Sequence, residues 1–209
     1  MIIVVDGNIG AGKSTLIEKL KEKNKNENII FIKEPVDKFM EYKQFNPLKL
    51  MYDNPDKSAI TQLHISNCLI DYFKDIVKYK DKIIICERGL LSVEVFSRVY
   101  RDNNHLSDFE YTFVNDHMQD KIKEIFSKMP IDAILFIDIP IDIALERISK
   151  RNREGENNIS HKFLTDVQNS FNQTLKEYEY KIPIKRINYN DVYKIERCEQ
   201  FLEYIIKKD

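Results

Sequence analysis

Residues 7–14 read Gly7-Asn8-Ile9-Gly10-Ala11-Gly12-Lys13-Ser14, with Thr15 following. The spacing G-x-x-x-x-G-K-[ST] is that of a phosphate-binding loop. Glycines let backbone N–H groups turn inward around phosphate oxygens. A helix opening at the end of the loop adds unpaired N–H groups and the positive end of its dipole. In such a loop Lys13 reaches the outer phosphates and the Ser14 hydroxyl ligates Mg²⁺. The flanks agree. Ile2-Ile3-Val4-Val5 is the β-branched run of a strand buried on both faces. Leu16-Ile17-Glu18-Lys19-Leu20 has helical spacing. The loop implies a bound nucleoside triphosphate and leaves the reaction open, since GTPases, motors and small-molecule kinases all use it.

Further candidates sit where later apolar runs end. Glu34-Pro35-Val36 follows Ile29–Lys33, and proline keeps Glu34 extended. A carboxylate there could take a proton from a substrate hydroxyl, or be a solvated loop acid. Glu87-Arg88-Gly89 follows a second run. Glu87 could hold Mg²⁺ through water and Arg88 could clamp a carboxylate or a phosphoryl oxygen. The bland alternative is a surface ion pair. Asp138 ends a third run and competes with Glu87 for the metal. Arg147, Lys150, Arg151 and Arg153, followed by Glu154-Gly155-Glu156, suit a lid at about 147–160 that closes arginines over a transferring phosphoryl group. They also suit a helix C-terminus, but four cations in seven positions favour the lid. Gln62, Ile65 and Leu69 share one helical stripe. The glutamine can read a base edge, although a half-exposed helix polar residue is the plainer reading.

The elements that must position these groups alternate. Strands are expected at 2–6, 28–33, 82–87, 132–138 and 184–189, with helical patterns between them. That order predicts an α/β fold with a five-stranded parallel sheet flanked by helices, one domain over 1–209. Ligands then sit at the carboxyl ends of the strands. The longest helical pattern covers 57–78. Others cover 107–127, opening on the capping-box sequence Ser107-Asp108-Phe109-Glu110, then 140–151 with Pro140 in the first turn, 160–179 and 191–207. Lys21–Glu27 reads as a polar turn.

The bulk composition narrows the class. The 209 residues are 43% hydrophobic and 32% charged, as in an ordinary globular chain. A net charge of −1 argues against a nucleic-acid partner. Cys68, Cys86 and Cys198 lie far apart without metal spacing, which fits reduced thiols in a reducing compartment. No apolar run has the length of a membrane span. A strand beginning at Ile2 leaves no room for a leader, so the expected location is cytoplasmic. His64, His105, His117 and His161 form no ligand or triad spacing.

Taken together, the chain resembles the deoxyribonucleoside kinases from Ile2 to about Leu164. The shared features are the loop at 7–15, Glu-Pro-Val at 34–36, Leu-Met-Tyr at 50–52, Gln62, Glu-Arg at 87–88 and the arginine lid ending in Glu156. The resemblance implies a P-loop NTPase-type three-layer fold and transfer of the ATP γ-phosphoryl group to a 5′-hydroxyl with Mg²⁺. It implies Glu34 as general base and Arg88 as its steadying cation. Glu87 and Ser14 serve the metal. Tyr52 and Glu156 serve the sugar 3′-hydroxyl and Gln62 the base, while Arg147, Arg151 and Arg153 lie over the ATP phosphates. It also implies a homodimer through long helices. Phe39 stands where the family usually has Trp, Gly89 where it has Ser, and Thr61 where an aromatic often stacks on the base. Family members that prefer deoxycytidine and purines carry an Arg and an Asp near the base. The matching positions here are Leu69 and Val93, which points to thymidine first and deoxycytidine second. A nucleoside monophosphate kinase of the thymidylate kinase type is the alternative. A GTP switch lacks its N-K-x-D signature in the right place, because Asn24-Lys25-Asn26-Glu27 comes too early.

Overall fold

The first expected strand, predicted to be buried on both faces, exists as β1 (Ile2–Gly7), buried along its whole length. In the computed structural model, which describes residues 1–89, 91–127, 130–188 and 195–207, it pairs in parallel with a neighbour on each edge. The chain then runs α1 (Lys13–Lys23), β2 (Ile29–Ile32), α2 (Val36–Met40), α3 (Pro47–Asp53), α4 (Ser58–Ile76), β3 (Ile83–Glu87), α5 (Leu91–Asp102) and α6 (Asp108–Phe126). It continues through β4 (Ala133–Asp138), α7 (Ile141–Arg151), α8 (His161–Tyr178), β5 (Ile184–Asn188) and α9 (Ile195–Ile206). The sheet order is β2-β3-β1-β4-β5, parallel throughout.

Strand alternation divides the core into two layers. Ile2, Val4, Ile84, Cys86, Ile134 and Phe136 face a cluster built with α4, α5, α6 and α8. Ile3, Val5, Ile85, Leu135 and Ile137 face the opposite cluster, built with α1, α7 and α9. The three cysteines are free thiols, Cys86 and Cys198 buried and Cys68 half-buried. Burial pushes the Cys86 thiol up to about 12. No helix among the described residues is long and apolar enough to cross a membrane.

Several boundaries differ from expectation. α1 runs to Lys23 and absorbs the start of the expected 21–27 turn, because Lys and Glu are good helix formers. Pro140 is the N-cap of α7, with ψ 140°, and not its first helical residue. Tyr189 and the expected helix start at 191–194 lie outside the described residues. The short α2 and α3 fall below the length at which periodicity is readable. α3 does carry a start signal, Asn46-Pro47, in which the Asn46 side chain accepts from Lys49 N at 3.0 Å. At α6 the expected capping box forms, Glu110 N donating to Ser107 Oγ and Ser107 N to Glu110 Oε2.

Candidate active site

The loop after β1 wraps the start of α1. Gly10 has φ 75°, and a Cβ there would stand 2.6 Å from the Ala144 carbonyl oxygen, so only glycine fits. Lys13 folds inward and donates to the carbonyls of Gly7 and Asn8, both at 3.0 Å. Burial, with help from the nearby Arg88 guanidinium, lowers its pKa to about 8. Arg147 reaches across from α7 and donates to the carbonyls of Gly10 at 3.3 Å and Ala11 at 2.9 Å. That guanidinium braces the loop and lines the cavity beside it.

The tips of β2 and β3 lie beside the loop because register pairs Ile32 with Cys86 and Val5 with Glu87. Glu34 and Arg88 form an ion pair there, with side chains 7% and 10% exposed. Arg88 adopts a left-handed φ of 64°, a conformation costing about 1–3 kcal/mol for a side-chain-bearing residue. Burial raises the Glu34 pKa against the opposing pull of Arg88 and Lys13. The Tyr72 hydroxyl donates to the Glu87 carbonyl at 3.0 Å and fixes the β3 tip.

Ser14 Oγ donates to Glu87 Oε1 at 2.6 Å. A hydroxyl and a carboxylate converging beside a phosphate loop fit Mg²⁺, which takes one or two protein oxygens and completes its shell with water and substrate phosphates. No group of three or more His, Cys, Asp or Glu suited to a metal occurs among the described residues. Asp138 does not share a cavity with Ser14 and Glu87. Its carboxylate accepts from Gln168 Nε2 at 3.3 Å and faces Arg186 Nη1 at 3.9 Å.

Across from the loop opens a cavity of about 500 Å³, the size of a small-molecule site. Gln62, Ile65 and Leu69 line it from α4, Phe39 from α2, Tyr52 from α3 and Val93 from α5. Gln62 is buried, and among the described residues its Nε2 has a 3.5 Å contact to Met51 Sδ. Thr61 turns away, its Oγ1 donating to the Pro47 carbonyl at 3.3 Å. A Cβ on Gly89 would stand 2.8 Å from Val4 Cγ1, so the missing hydroxyl at this position has a packing cause.

The expected lid is the end of α7 and the turn after it. Glu156 is buried, takes Arg151 bidentately at 2.7–3.0 Å, and takes Arg153 Nη1 at 3.1 Å. The turn docks on α3. Asn158 Nδ2 donates to Asp53 Oδ1 at 2.7 Å, and at Gly155, with φ 87°, a Cβ would meet Lys49 Cα at 2.7 Å. Burial and the Glu156 carboxylate push the Tyr52 hydroxyl far up. Several residues of the site escaped the sequence reading, Leu48 of α3 among them. Ser92 and Phe96 line the cavity from α5. Asp6 lies beneath Arg88, and its only signal was a charge closing an apolar run.

Residues 3–208 match the deoxynucleoside kinase family model. A fowlpox virus protein named "Probable deoxycytidine kinase" is 28% identical over 89% of this chain and 77% of its own length. The deoxyadenosine kinase of Dictyostelium discoideum is 26% identical over 96% of this chain and 77% of its own. The solved deoxyadenosine kinase of M. mycoides, with bound dCTP, superposes with a TM-score of 0.78 at 22% identity, covering 98% of this chain and all of that one, and so shares its fold. Relatives carry names for deoxyguanosine and thymidine as well. The chain belongs to the deoxynucleoside kinase family, and its activity is that of a nucleotide-dependent deoxynucleoside phosphotransferase.

Proposed function

We propose that this chain transfers the ATP γ-phosphoryl group to the 5′-hydroxyl of a pyrimidine deoxynucleoside, thymidine first and deoxycytidine second. The observation carrying the reading is Glu34, a buried carboxylate of raised pKa that borders the same cavity as the phosphate loop. Glu34 accepts the 5′-hydroxyl proton as O5′ attacks the γ-phosphorus in line and the β–γ bridging oxygen leaves with ADP. Lys13 turns from the loop carbonyls to the outer phosphates, joined there by N–H groups of the 7–15 loop other than that of Gly7, which stays on Asp6. Arg151 and Arg153 screen the charge on the transferring group from the lid. Ser14 and Glu87 would hold Mg²⁺, which when bound neutralises charge on the outer phosphates.

Tyr52 and Glu156 hold the sugar 3′-hydroxyl, and Arg88 keeps Glu34 aligned. Phe39 walls the base while Gln62 pairs with its edge, with Ile65 completing the apolar side. Leu69 and Val93 support the thymidine preference, since both are apolar, buried and border the cavity. Neither can bond an exocyclic amino group, and together they leave an apolar surface for a methyl group. Steady-state turnover with thymidine, deoxycytidine, deoxyadenosine and deoxyguanosine tests this directly. Thymidine should have the highest kcat/KM, and deoxyguanosine as best acceptor contradicts the preference. Thymidine monophosphate as best acceptor contradicts Glu34 as the base.

We read residues 1–209 as one catalytic unit that dimerises through α4 and α6. Ile60, Phe109 and Phe113 on those helices are 65%, 76% and 54% exposed, which supports a covered face there. A monomer in sedimentation at micromolar concentration contradicts it. Three free thiols support a cytoplasmic location.

A further inference from the structure

Arg88 stands between two carboxylates, and only one of them has a role in the chemistry above. Its Nε bonds Glu34. Its Nη1 is buried, has no hydrogen-bond partner among the described residues, and lies 3.8 Å from Asp6 Oδ1, just beyond bonding distance. Asp6 closes β1 with a side chain only 2% exposed. It is held from three directions. Gly7 N donates to Oδ1 at 2.8 Å, Gly89 N to Oδ2 at 3.2 Å, and the Ser92 hydroxyl to Oδ2 at 2.9 Å. These donors belong to the phosphate loop, the turn after β3 and the start of α5. The carboxylate is therefore fixed, while Arg88, on a backbone held at φ 64°, borders the open cavity.

The arrangement bears on a difficulty in the chemistry. A carboxylate tied to Arg88 is a hindered proton acceptor, and a carboxylate that leaves Arg88 strands a buried cation. Removing one partner of a buried ion pair is costly because the other stays desolvated. Lys13 and Glu87 also face this cluster, but Lys13 is a cation and Glu87 accepts from Ser14 and from Glu34 N. Of these groups, Asp6 alone offers a carboxylate to the unbonded face of the guanidinium.

We propose that Asp6 is a positioning residue that takes over the charge of Arg88 when Glu34 turns to the substrate hydroxyl. The inference rests on the phosphoryl-transfer reading above. A double-mutant cycle of D6N and R88Q, run at saturating ATP, Mg²⁺ and thymidine, tests it. D6N should lower kcat roughly 10- to 100-fold while the KM for ATP changes less than about 3-fold, and in the R88Q background it should change kcat less than about 3-fold. Additive losses in both backgrounds would show a merely structural role for Asp6 and overturn the proposal. A second measurement avoids the variants altogether. In a crystal structure of the wild-type protein with a bound deoxynucleoside, Arg88 Nη1 should lie within about 3.2 Å of Asp6, with Glu34 on the 5′-hydroxyl. Arg88 still on Glu34, and no nearer to Asp6, overturns the proposal. A wild-type protein inactive on every deoxynucleoside would overturn the functional reading as well, which separates the two failures.

Discussion

Glu34 and Arg88 form an ion pair between the tips of adjacent strands β2 and β3, with side chains 7% and 10% exposed. The pair lets two charges remain buried beside the phosphate loop. Burial nevertheless raises the Glu34 pKa above its ordinary value, outweighing the arginine. A carboxylate in that condition binds a proton more readily than an exposed one, which is what a general base needs.

Lys13 carries the opposite shift, to about 8 from an ordinary value of 10.5. Folding therefore disfavours its charge. The stability it contributes is fully present above 10.5 and is lost as pH falls through about 8. At pH 7 the deficit is on the order of 3 kcal/mol. Lys13→Met abolishes that deficit and forfeits two hydrogen bonds of roughly 1 kcal/mol each. In metal-free, nucleotide-free buffer its melting temperature at pH 7 should match or exceed wild type, and its advantage should shrink as pH rises toward 10.5. An advantage that grows with pH contradicts the assignment.

Among the described residues the buried Gln62 amide has one weak sulfur contact, which leaves hydrogen-bonding capacity facing the cavity. Gln62→Leu should cost about 1–3 kcal/mol in nucleoside kcat/KM, roughly 5- to 150-fold, with the KM for ATP unchanged. Equal losses for both substrates would place the defect in folding.

Gly89 has no left-handed φ, yet an added Cβ would stand 2.8 Å from Val4 Cγ1. Gly89→Ser should therefore restore nothing. It should lower stability by about 1–3 kcal/mol through overpacking and lower kcat by displacing Arg88. Thermal melts and turnover check both, and a more active variant would contradict the packing account.

What was legible follows from how local each signal is. The phosphate loop and β1 were readable because the contiguous apolar run Ile2–Val5 leads straight into the glycine spacing of Gly7–Ser14, and the two together specify one backbone path. Gln62, Ile65 and Leu69 were readable as a stripe because helical spacing alone brings them to one wall. Asp6 was not readable, since its partners Gly89 and Ser92 are more than eighty residues away and only the β1–β3 register joins them. Arg147 was assigned to the lid, and only the packing of α7 against the loop shows its guanidinium on the carbonyls of Gly10 and Ala11. Short helices such as α2 and α3 carry too few turns for a periodic signal.

The most direct test of the account is turnover by Glu34→Gln, an isosteric change that keeps the shape of the site and removes the proton acceptor. With thymidine, ATP and Mg²⁺ the account predicts roughly a thousandfold loss of kcat with nucleoside and nucleotide binding kept within a few-fold, in the range expected for a lost general base. Turnover within about threefold of wild type would contradict it.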